Sequence, residues 1–194
     1  MAGMTTKDGR GVDIRPAYGN WDGFSEVVGV KKPGGRGCWC MAYRDSRVPA
    51  EERPDYMRGE CATEPGPGVL AYVDGVAAGW CSVAPRSSHR RLMHSRTIPL
   101  VDDADPWSVV CFVVRGGYRK QGLMHLLLQG AIDHVRAHGG GILEGYPGEA
   151  DERMDGISAY IGTTRLFEAA GFERVQPTDS RVGGRVRWLM RLEV

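Results

Sequence analysis

The sequence has no long apolar run and no excess of one charge. Its 25 Lys and Arg residues stand against 24 Asp and Glu residues, which gives a formal net charge of +1. A near-neutral chain has no general attraction for nucleic acid or a membrane surface, so any recognition of an anion must be local. No apolar segment approaches the length of a membrane span, and residues 1–11 lack the apolar core of a signal peptide. We therefore expect a cytoplasmic protein without a nucleic-acid or membrane partner.

Cysteine is scarce, and its number is odd. Most of the five cysteines lie in apolar runs, which favours reduced, buried thiols over a disulfide framework. Cys38 and Cys40 alternate as they would in a strand, but no second ligand pair has a comparable spacing, so we predict no metal site. His138 precedes three glycines, as in one esterase motif, but the Gly-x-Ser-x-Gly element of those enzymes is missing.

What is present is the composition of a folded protein. Hydrophobic residues make up 42% and charged residues 25% of the 194 residues, which suits one globular domain. We predict a flexible tail over residues 1–11 and a single domain over residues 12–194.

Hydrophobic periodicity and turn residues divide the chain into alternating strands and helices. Asp74-Gly75 between two apolar runs, for example, predicts a hairpin. The predicted strands are 12–14, 38–43, 69–73, 76–83, 107–114, 142–146, 172–175 and 186–192, and the predicted helices are 21–28, 49–61, 121–137 and 158–170. Residues 31–37, 86–96 and 148–157 are predicted to be solvated loops. This order predicts a mixed α/β protein whose sheet is partly antiparallel.

The segment with the clearest chemistry is residues 112–124, FVVRGGYRKQGLM. A buried strand ends there, a turn rich in glycine and basic residues follows, and a helix begins. Backbone N–H groups at the start of a helix have no partner within the helix, and the helix dipole favours an anion there. Gly122 has no Cβ, so a ligand can approach its backbone closely, and Arg119 and Lys120 add positive charge. This turn is predicted to bind a phosphate or diphosphate, although a solvated turn is an equal alternative from these residues alone.

Two common phosphate-binding motifs do not account for this turn. A P-loop would end in Gly-Lys-Ser/Thr, and a dinucleotide-binding fold would carry Gly-x-Gly-x-x-Gly; neither pattern is present. Residues 118–124, YRKQGLM, instead resemble the acyl-CoA signature of GNAT acetyltransferases, Arg/Gln-x-x-Gly-x-Gly/Ala. Arg119 and Gly122 match its first two fixed positions, whereas Met124 departs from the last.

The resemblance to GNAT acetyltransferases extends over most of residues 12–192. Ile14-Arg15-Pro16 is similar to the family's opening strand, the Asp74-Gly75 hairpin falls where GNATs have one, and residues 166–172 resemble the segment that ends their last helix. Residues 37–40 and 144–147 resemble a GNAT subgroup with Gly-Cys-Trp-Cys and Glu-Gly-Tyr-Pro segments. The resemblance implies a GNAT-like α/β fold, with a central, mostly antiparallel sheet, one splayed parallel pair at 107–114 and 142–146, and flanking helices.

The same resemblance implies acetyl-CoA as co-substrate, with no metal. Backbone groups of Phe112, Val113 and Val114 would bond the pantetheine arm, and one N–H of Phe112 or Val113 would face the thioester oxygen, where negative charge grows during attack. The diphosphate would be surrounded by Arg119, Lys120, Gln121, Gly122, Leu123 and Met124. Phe167 would lie near the CoA sulfur, at the position of the family's usual tyrosine.

Proton transfer requires separate groups. An alkyl amine is mostly protonated near pH 7, so a base is useful, and Glu144 is our candidate because loss of water at the splay would make its carboxylate a better proton acceptor. The alternative is that Glu144 points outward or orders a loop. Phe167 has no proton to give the departing thiolate, so Tyr160, Tyr146 or water is predicted to supply it; packing of Tyr160 on the sheet is the alternative.

The predicted activity is acetyl-CoA-dependent N-acetylation of a primary amine by direct attack in a ternary complex. Cys111 is expected to be a packing residue rather than a nucleophile. A small-molecule acceptor, a metabolite or an antibiotic, is our first reading, and acetylation of a protein lysine or N-terminus is the second. The third is a non-catalytic CoA-binding sensor module. The sequence leaves open whether the chain forms a homodimer.

Overall fold

Eight strands form one mixed sheet in the computed structural model, which describes residues 4–30, 37–41, 43–149 and 158–194. The strand order across the sheet is β1-β2-β3-β4-β5-β6-β8-β7. The strands are β1 (Met4–Thr5), β2 (Gly11–Pro16), β3 (Gly68–Val73), β4 (Val76–Pro85), β5 (Trp107–Val114), β6 (Ile142–Gly145), β7 (Glu173–Val182) and β8 (Arg185–Glu193). All paired strands are antiparallel except β5 and β6. The predicted mixed α/β fold, mostly antiparallel with one parallel pair, is confirmed.

Helices cover both faces of this sheet. They are α1 (Trp21–Val28), α2 (Arg53–Ala62), α3 (Arg90–Met93), α4 (Leu123–Ala137) and α5 (Thr164–Glu168), with short 3-10 helices at Arg86–Ser88, Gly116–Tyr118 and Ser158–Ile161. The longest, α4, buries the stripe that includes Leu127, Leu128 and Ala131 against one face of the sheet. On the opposite face, α1 packs Phe24 edge-on against Trp80 of β4, with ring centroids 5.0 Å apart. None of the described helices combines the length and apolar character needed to cross a membrane.

Local sequence signals account for the hairpins and for α4. Asp74 and Gly75 both adopt positive φ, 49° and 81°, as the two central residues of a type I′ turn require. The first 3-10 turn of the predicted helix 158–170 is separated from α5, because Gly162 adopts φ 77° and Thr163 caps the helix by accepting the Leu166 N–H at 3.2 Å. The prediction of one continuous helix there was wrong.

The predicted strand at 38–43 was also wrong. Trp39 and Cys40 adopt φ values of 48° and 57°, a left-handed conformation that side chains other than glycine adopt rarely. This turn sends two side chains inward: the Trp39 indole stacks on that of Trp21 at 5.8 Å, and the Cys40 thiolate or thiol accepts the Trp80 Nε1–H at 3.0 Å. Side-chain packing therefore prevails over the apolar run that favoured a strand.

The N-terminal segment from Met4 onward is part of the fold. Met4 and Thr5 pair with Val12 and Gly11, which adds a strand at the sheet edge. The predicted flexibility of residues 1–11 stays a prediction, but the described part of that segment makes regular backbone hydrogen bonds. The predicted loops at 31–36 and 150–157, and Ala42, lie outside the described residues.

Candidate active site

A gap opens in the sheet where its two parallel strands diverge. β5 and β6 pair only at Trp107↔Leu143, Ser108↔Glu144 and Val109↔Gly145, whereas β5 continues to Val114. Among the described residues, the edge of β5 beyond Val109 therefore has no strand partner on the β6 side. The short helix Ser158–Ile161 lies against β5 in this region.

A bulge in β5 marks the start of this open edge. The register with β4 passes from Val83↔Val109 to Ser82↔Cys111, so Val110 is an extra residue. A bulge bends its strand and increases the local twist, which favours divergence from the neighbouring strand. Adjacent residues of a regular strand point to opposite faces, but because of the bulge Val110 and Cys111 both belong to the same core cluster.

The turn after β5 leaves a run of backbone donors unused. Lys120 and Gly122 adopt φ values of 66° and 85°, and Gly122 is the N-cap of α4. Within the described ranges, the backbone N–H groups of residues 120–124 meet no hydrogen-bond acceptor. Unused donors at the start of a helix, where the dipole is positive, constitute an anion-binding arrangement.

Four cationic side chains surround this turn, and sequence analysis identified only two of them. Arg119 and Lys120 are exposed, as predicted. Lys7 is the third cation. Its backbone N–H donates to the Gln121 carbonyl at 3.1 Å, and a Cβ placed on Gly122 would lie 3.6 Å from the Lys7 Cγ.

The fourth cation is Arg10, which lies over the Tyr118 ring at 5.2 Å and donates to Gln121 Oε1. Lys7 and Arg10 were missed because they fall in the segment predicted to be a flexible tail. Their charge was the only available signal, and it gave no indication of where the segment folds.

Glu144 occupies a different environment from the one predicted. The sequence suggested a partly desolvated carboxylate at the splay, but Glu144 is 1% exposed and lies in a buried ion-pair network. Arg86 Nη1 lies 3.1 Å from Oε2, and Arg191 Nη2 lies 2.7 Å from Oε1. Two guanidinium groups therefore engage both oxygens of the carboxylate, which leaves neither oxygen free to contact an amine.

The network also corrects the prediction of a solvated loop at 86–96. Arg86 begins a 3-10 helix and is fully buried. Besides Glu144, its guanidinium donates to the Tyr146 hydroxyl at 2.7 Å and to the Ile98 carbonyl at 2.7 Å. A buried guanidinium needs such partners to offset its lost hydration.

Tyr146 belongs to the same network. Its hydroxyl donates to Glu144 Oε2 at 2.6 Å and lies 2.9 Å from the Ser108 hydroxyl. Burial raises the pKa of Tyr146 far above its usual range, and the Glu144 charge adds to this effect. The hydroxyl therefore stays protonated, but its partners hold it in place, which favours a positioning role for Tyr146.

Phe167 lies in the core on the α4 side of the sheet. It is fully buried and packs edge-on against Phe112 and Phe172, with centroid distances of 6.3 and 4.9 Å. A Cβ on Gly145 would clash with the Phe167 ring, so glycine at 145 provides the space for this aromatic side chain. Phe167 thus packs from α5 against the base of the gap, and its side chain has no proton to donate.

Tyr160 lies on the opposite side of the sheet from Phe167, and 36% of its surface is exposed. Tyr160 and Phe167 do not share one continuous helix, because the predicted helix 158–170 breaks at Gly162. Burial raises the pKa of Tyr160, and the positive charge of Arg187 opposes this effect. Its hydroxyl is thus protonated near neutral pH, and the short helix that carries it, Ser158–Ile161, lies against β5.

The family model described as "Acetyltransferase (GNAT) family" matches residues 37–148. The chain belongs to the GNAT acetyltransferase family. No curated protein matches the sequence significantly.

Solved GNAT structures share the fold at low sequence identity. A GNAT acetyltransferase from Streptococcus pneumoniae is 16% identical, with a TM-score of 0.53 over 94% of this chain and 99% of that one. A GCN5-related N-acetyltransferase from Kribbella flavida is 16% identical, with a TM-score of 0.55 over 94% and 98%. YncA from Salmonella typhimurium, solved with its cofactor acetyl-CoA, is 16% identical, with a TM-score of 0.52 over 94% and 93%.

The GNAT fold binds acetyl-CoA, and the residues of this chain fit that co-substrate. The free N–H groups of residues 120–124 and the four cations suit a diphosphate, and the open edge of β5 suits an extended amide chain. Leu123 is buried and Met124 half-buried at the start of α4, so the Met124 side chain lies against the protein core.

The cysteines do not form a metal site in the described part of the chain, where no cluster of at least three potential metal ligands occurs. Cys111 and Cys40 are neighbours on the face of Tyr146. The Cys111 thiol donates to Cys40 and so lowers the pKa of Cys40, while the same bond and burial raise the pKa of Cys111. A protonated, buried Cys111 agrees with the predicted packing role.

Proposed function

We propose that this protein is an acetyl-CoA-dependent N-acetyltransferase that transfers the acetyl group to a primary amine of a small molecule. The observation that carries the proposal is the turn at residues 120–124, whose backbone N–H groups meet no acceptor among the described residues. A CoA diphosphate would satisfy these donors, and Lys7, Arg10, Arg119 and Lys120 would offset its charge.

The pantetheine arm would lie along the open edge of β5. An unpaired strand edge presents N–H and C=O groups that can bond an extended ligand as they would bond a neighbouring strand. We assign this role to the backbone of Phe112, Val113 and Val114. An N–H of Phe112 or Val113 would then donate to the thioester oxygen and stabilise the negative charge that develops there.

Acetyl-CoA supplies an acyl group activated as a thioester. In the proposed reaction, the amine nitrogen forms a bond to the carbonyl carbon, the C–S bond breaks, and the sulfur takes up one proton. Tyr160 is our choice for that proton, because its raised pKa keeps it protonated and its helix lies against β5. Tyr146 would position Glu144 and Arg86 rather than act directly.

The amine would attack as the free base after losing its proton to water. Glu144 was the predicted proton acceptor, but its carboxylate is buried and both of its oxygens are paired, with Arg86 and with Arg191. An amine near pH 8 already contains a useful neutral fraction if its pKa is close to that of an α-amino group, about 7.7–8.0. Tyr43 and Tyr160 beside the gap favour a small acceptor, because compact ligand sites are commonly lined by aromatic side chains.

Isothermal titration calorimetry with CoA tests this proposal directly. Wild-type protein should bind CoA, and Arg119→Ala should weaken binding by about 10-fold or more, since a charged hydrogen bond is lost. Gly122→Asn adds a side chain while keeping a residue that tolerates positive φ. Gly59→Ala, at an open position on α2, is the control and should leave the affinity unchanged.

Two outcomes would decide against parts of the proposal. No heat of binding with millimolar CoA would remove the cofactor assignment. Tight binding of acetyl-CoA without thiol release in the presence of any amine would favour the non-catalytic sensor module. Thiol release with peptides but not with small amines would favour the protein acetyltransferase.

A further inference from the structure

Arg187 of β8 carries a buried charge without a carboxylate partner in the described ranges. Three arginines in those ranges are buried: Arg44, Arg86 and Arg187. Arg44 pairs with Glu60, and Arg86 pairs with Glu144.

Among the described residues, Arg187 has only neutral acceptors. Its Nε donates to the Tyr146 carbonyl at 2.8 Å, and its Nη1 donates to the Tyr43 hydroxyl and to Ser180 Oγ, the latter at 3.4 Å. Its Nη2 is buried and has no hydrogen-bond partner in the part of the chain that the structure describes. Burying a cation without a counter-charge is costly, by several kcal/mol in real proteins, so a residue retained in this state indicates a missing anion.

The position of Arg187 connects this missing anion to the reaction. Arg187 on β8 donates to the carbonyl of Tyr146, the residue that follows β6, and its guanidinium lies 5.6 Å from the centre of the Tyr43 ring. Tyr146 directly follows Gly145, the last β6 residue that pairs with β5. Arg187 therefore lies beside the point at which the gap opens.

We propose that the amine acceptor carries a carboxylate, which binds Arg187 through the free Nη2 group. The acceptor class is then amino acids and related amino carboxylates. A guanidinium suits this task because its planar N–H groups match the two oxygens of a carboxylate. The inference rests on the proposed N-acetyltransferase activity and narrows its substrate class.

Matched acceptors test the inference on the wild-type enzyme. Each member of a panel of L-α-amino acids is compared with its carboxamide and with its decarboxylated amine, with thiol release from acetyl-CoA as the readout. We expect kcat/KM to be about 10- to 100-fold higher for the best amino acid than for its carboxamide, as the loss of a charge-assisted hydrogen bond predicts. Phosphonate analogues of the same amino acids distinguish a requirement for a planar carboxylate from a general requirement for an oxyanion.

Variants at Arg187 provide the second arm. Arg187→Gln and Arg187→Lys should raise KM for the amino acid by a similar factor and leave KM for the carboxamide unchanged. Arg181→Gln is the matched control, because Arg181 on neighbouring β7 donates, within the described ranges, only to the backbone carbonyls of Thr178 and Ser180. CoA affinity measured by calorimetry shows whether each variant is folded.

The outcomes separate the two proposals. Equal kcat/KM for acids and carboxamides would overturn the carboxylate inference while leaving the acetyltransferase proposal intact, whereas no thiol release with any amine would overturn the acetyltransferase proposal. An internal counter-ion is tested by neutralising Asp151, Glu152 and Asp155 together. If this change and Arg187→Gln destabilised the protein equally, and the combination cost no more than either, the anion would belong to the chain and the inference would be wrong.

Discussion

The Arg86 guanidinium and the Glu144 carboxylate form an ion pair in which both side chains are 1% exposed and Nη1 lies 3.1 Å from Oε2. Arg86 begins the segment after β4, and Glu144 lies on β6, so the pair links two parts of the sheet on either side of β5. Arg191 of β8 contacts the same carboxylate at 2.7 Å. Glu144 thus connects the strands from which the gap opens.

Removal of the Glu144 carboxylate should destabilise the protein strongly. Glu144→Ala leaves Arg86 buried without its counter-charge, and breaking a buried pair in this way costs about 3–5 kcal/mol. Glu144→Gln keeps the shape and should cost less. Urea unfolding of both variants, with the exposed Glu173→Gln as control, measures the difference.

The pH–rate profile of Glu144→Gln separates positioning from base catalysis. If the amine attacks as its free base, kcat/KM rises with pH until the pKa of the amine itself, and the substitution leaves that rise in place. Loss of an acidic limb in Glu144→Gln alone, with CoA affinity retained, would restore Glu144 as the general base.

Lys7→Ala should weaken CoA binding, because Lys7 lies against Gly122 at the start of α4. Loss of one cation near a phosphate predicts a decrease of about 3- to 10-fold at low salt, and less at high salt because of screening. Calorimetry at two salt concentrations measures this. Arg136→Ala, at the opposite end of the same helix, removes an equal charge and should have no effect; an equal loss of affinity there would contradict a local role for Lys7.

The elements that could be predicted from the sequence are those with strong local signals. β5 is bounded as expected, 107–114, because an apolar run ends at Arg115 and a glycine turn. The β3–β4 hairpin follows from Asp74-Gly75, and α4 follows from its apolar stripe. The turn at residues 120–124 could be located because glycine, basic residues and the start of a helix coincide in one short segment.

The remaining features depend on contacts between distant residues. The turn at Trp39 and Cys40 forms because their side chains meet Trp21 and Trp80. Arg86 is buried because its guanidinium pairs with Glu144, which is 58 residues away in the sequence. Periodicity contains no information on such pairs, so the basic segment was interpreted as a solvated loop and Glu144 as a partly desolvated carboxylate.

Tyr160→Phe tests the proposed source of the proton for the leaving thiolate. General acid catalysis contributes about 10²–10⁴-fold to a reaction rate. Because a thiolate leaves readily even without a proton, we expect kcat to fall by about 100-fold, at the lower end of this range. CoA affinity should not change. Tyr18→Phe, at an exposed position, is the control. An unchanged kcat in Tyr160→Phe would indicate that water supplies the proton.

His134 of α4 should make stability depend on pH below neutrality. Burial lowers the pKa of His134 from 6.5 to about 4, with a further contribution from His138, whose ring centroid lies 4.4 Å away. The unfolded chain therefore takes up a proton near pH 6.5 that the folded protein refuses until about pH 4. The stabilisation is complete above pH 6.5 and is lost as pH falls through this interval, by about 2–3 kcal/mol in total.

Unfolding free energies at pH 7.5 and pH 4.5 isolate this contribution. His134→Leu removes the titrating group and keeps an apolar contact with Trp107, whose ring lies edge-on to His134 at 5.8 Å. We expect the wild-type protein to lose about 2 kcal/mol more than His134→Leu between the two pH values. His125→Leu, an exposed position on the same helix, should lose as much as the wild type. Equal losses in wild type and His134→Leu would mean that His134 accepts its proton as readily in the folded protein as in the unfolded chain.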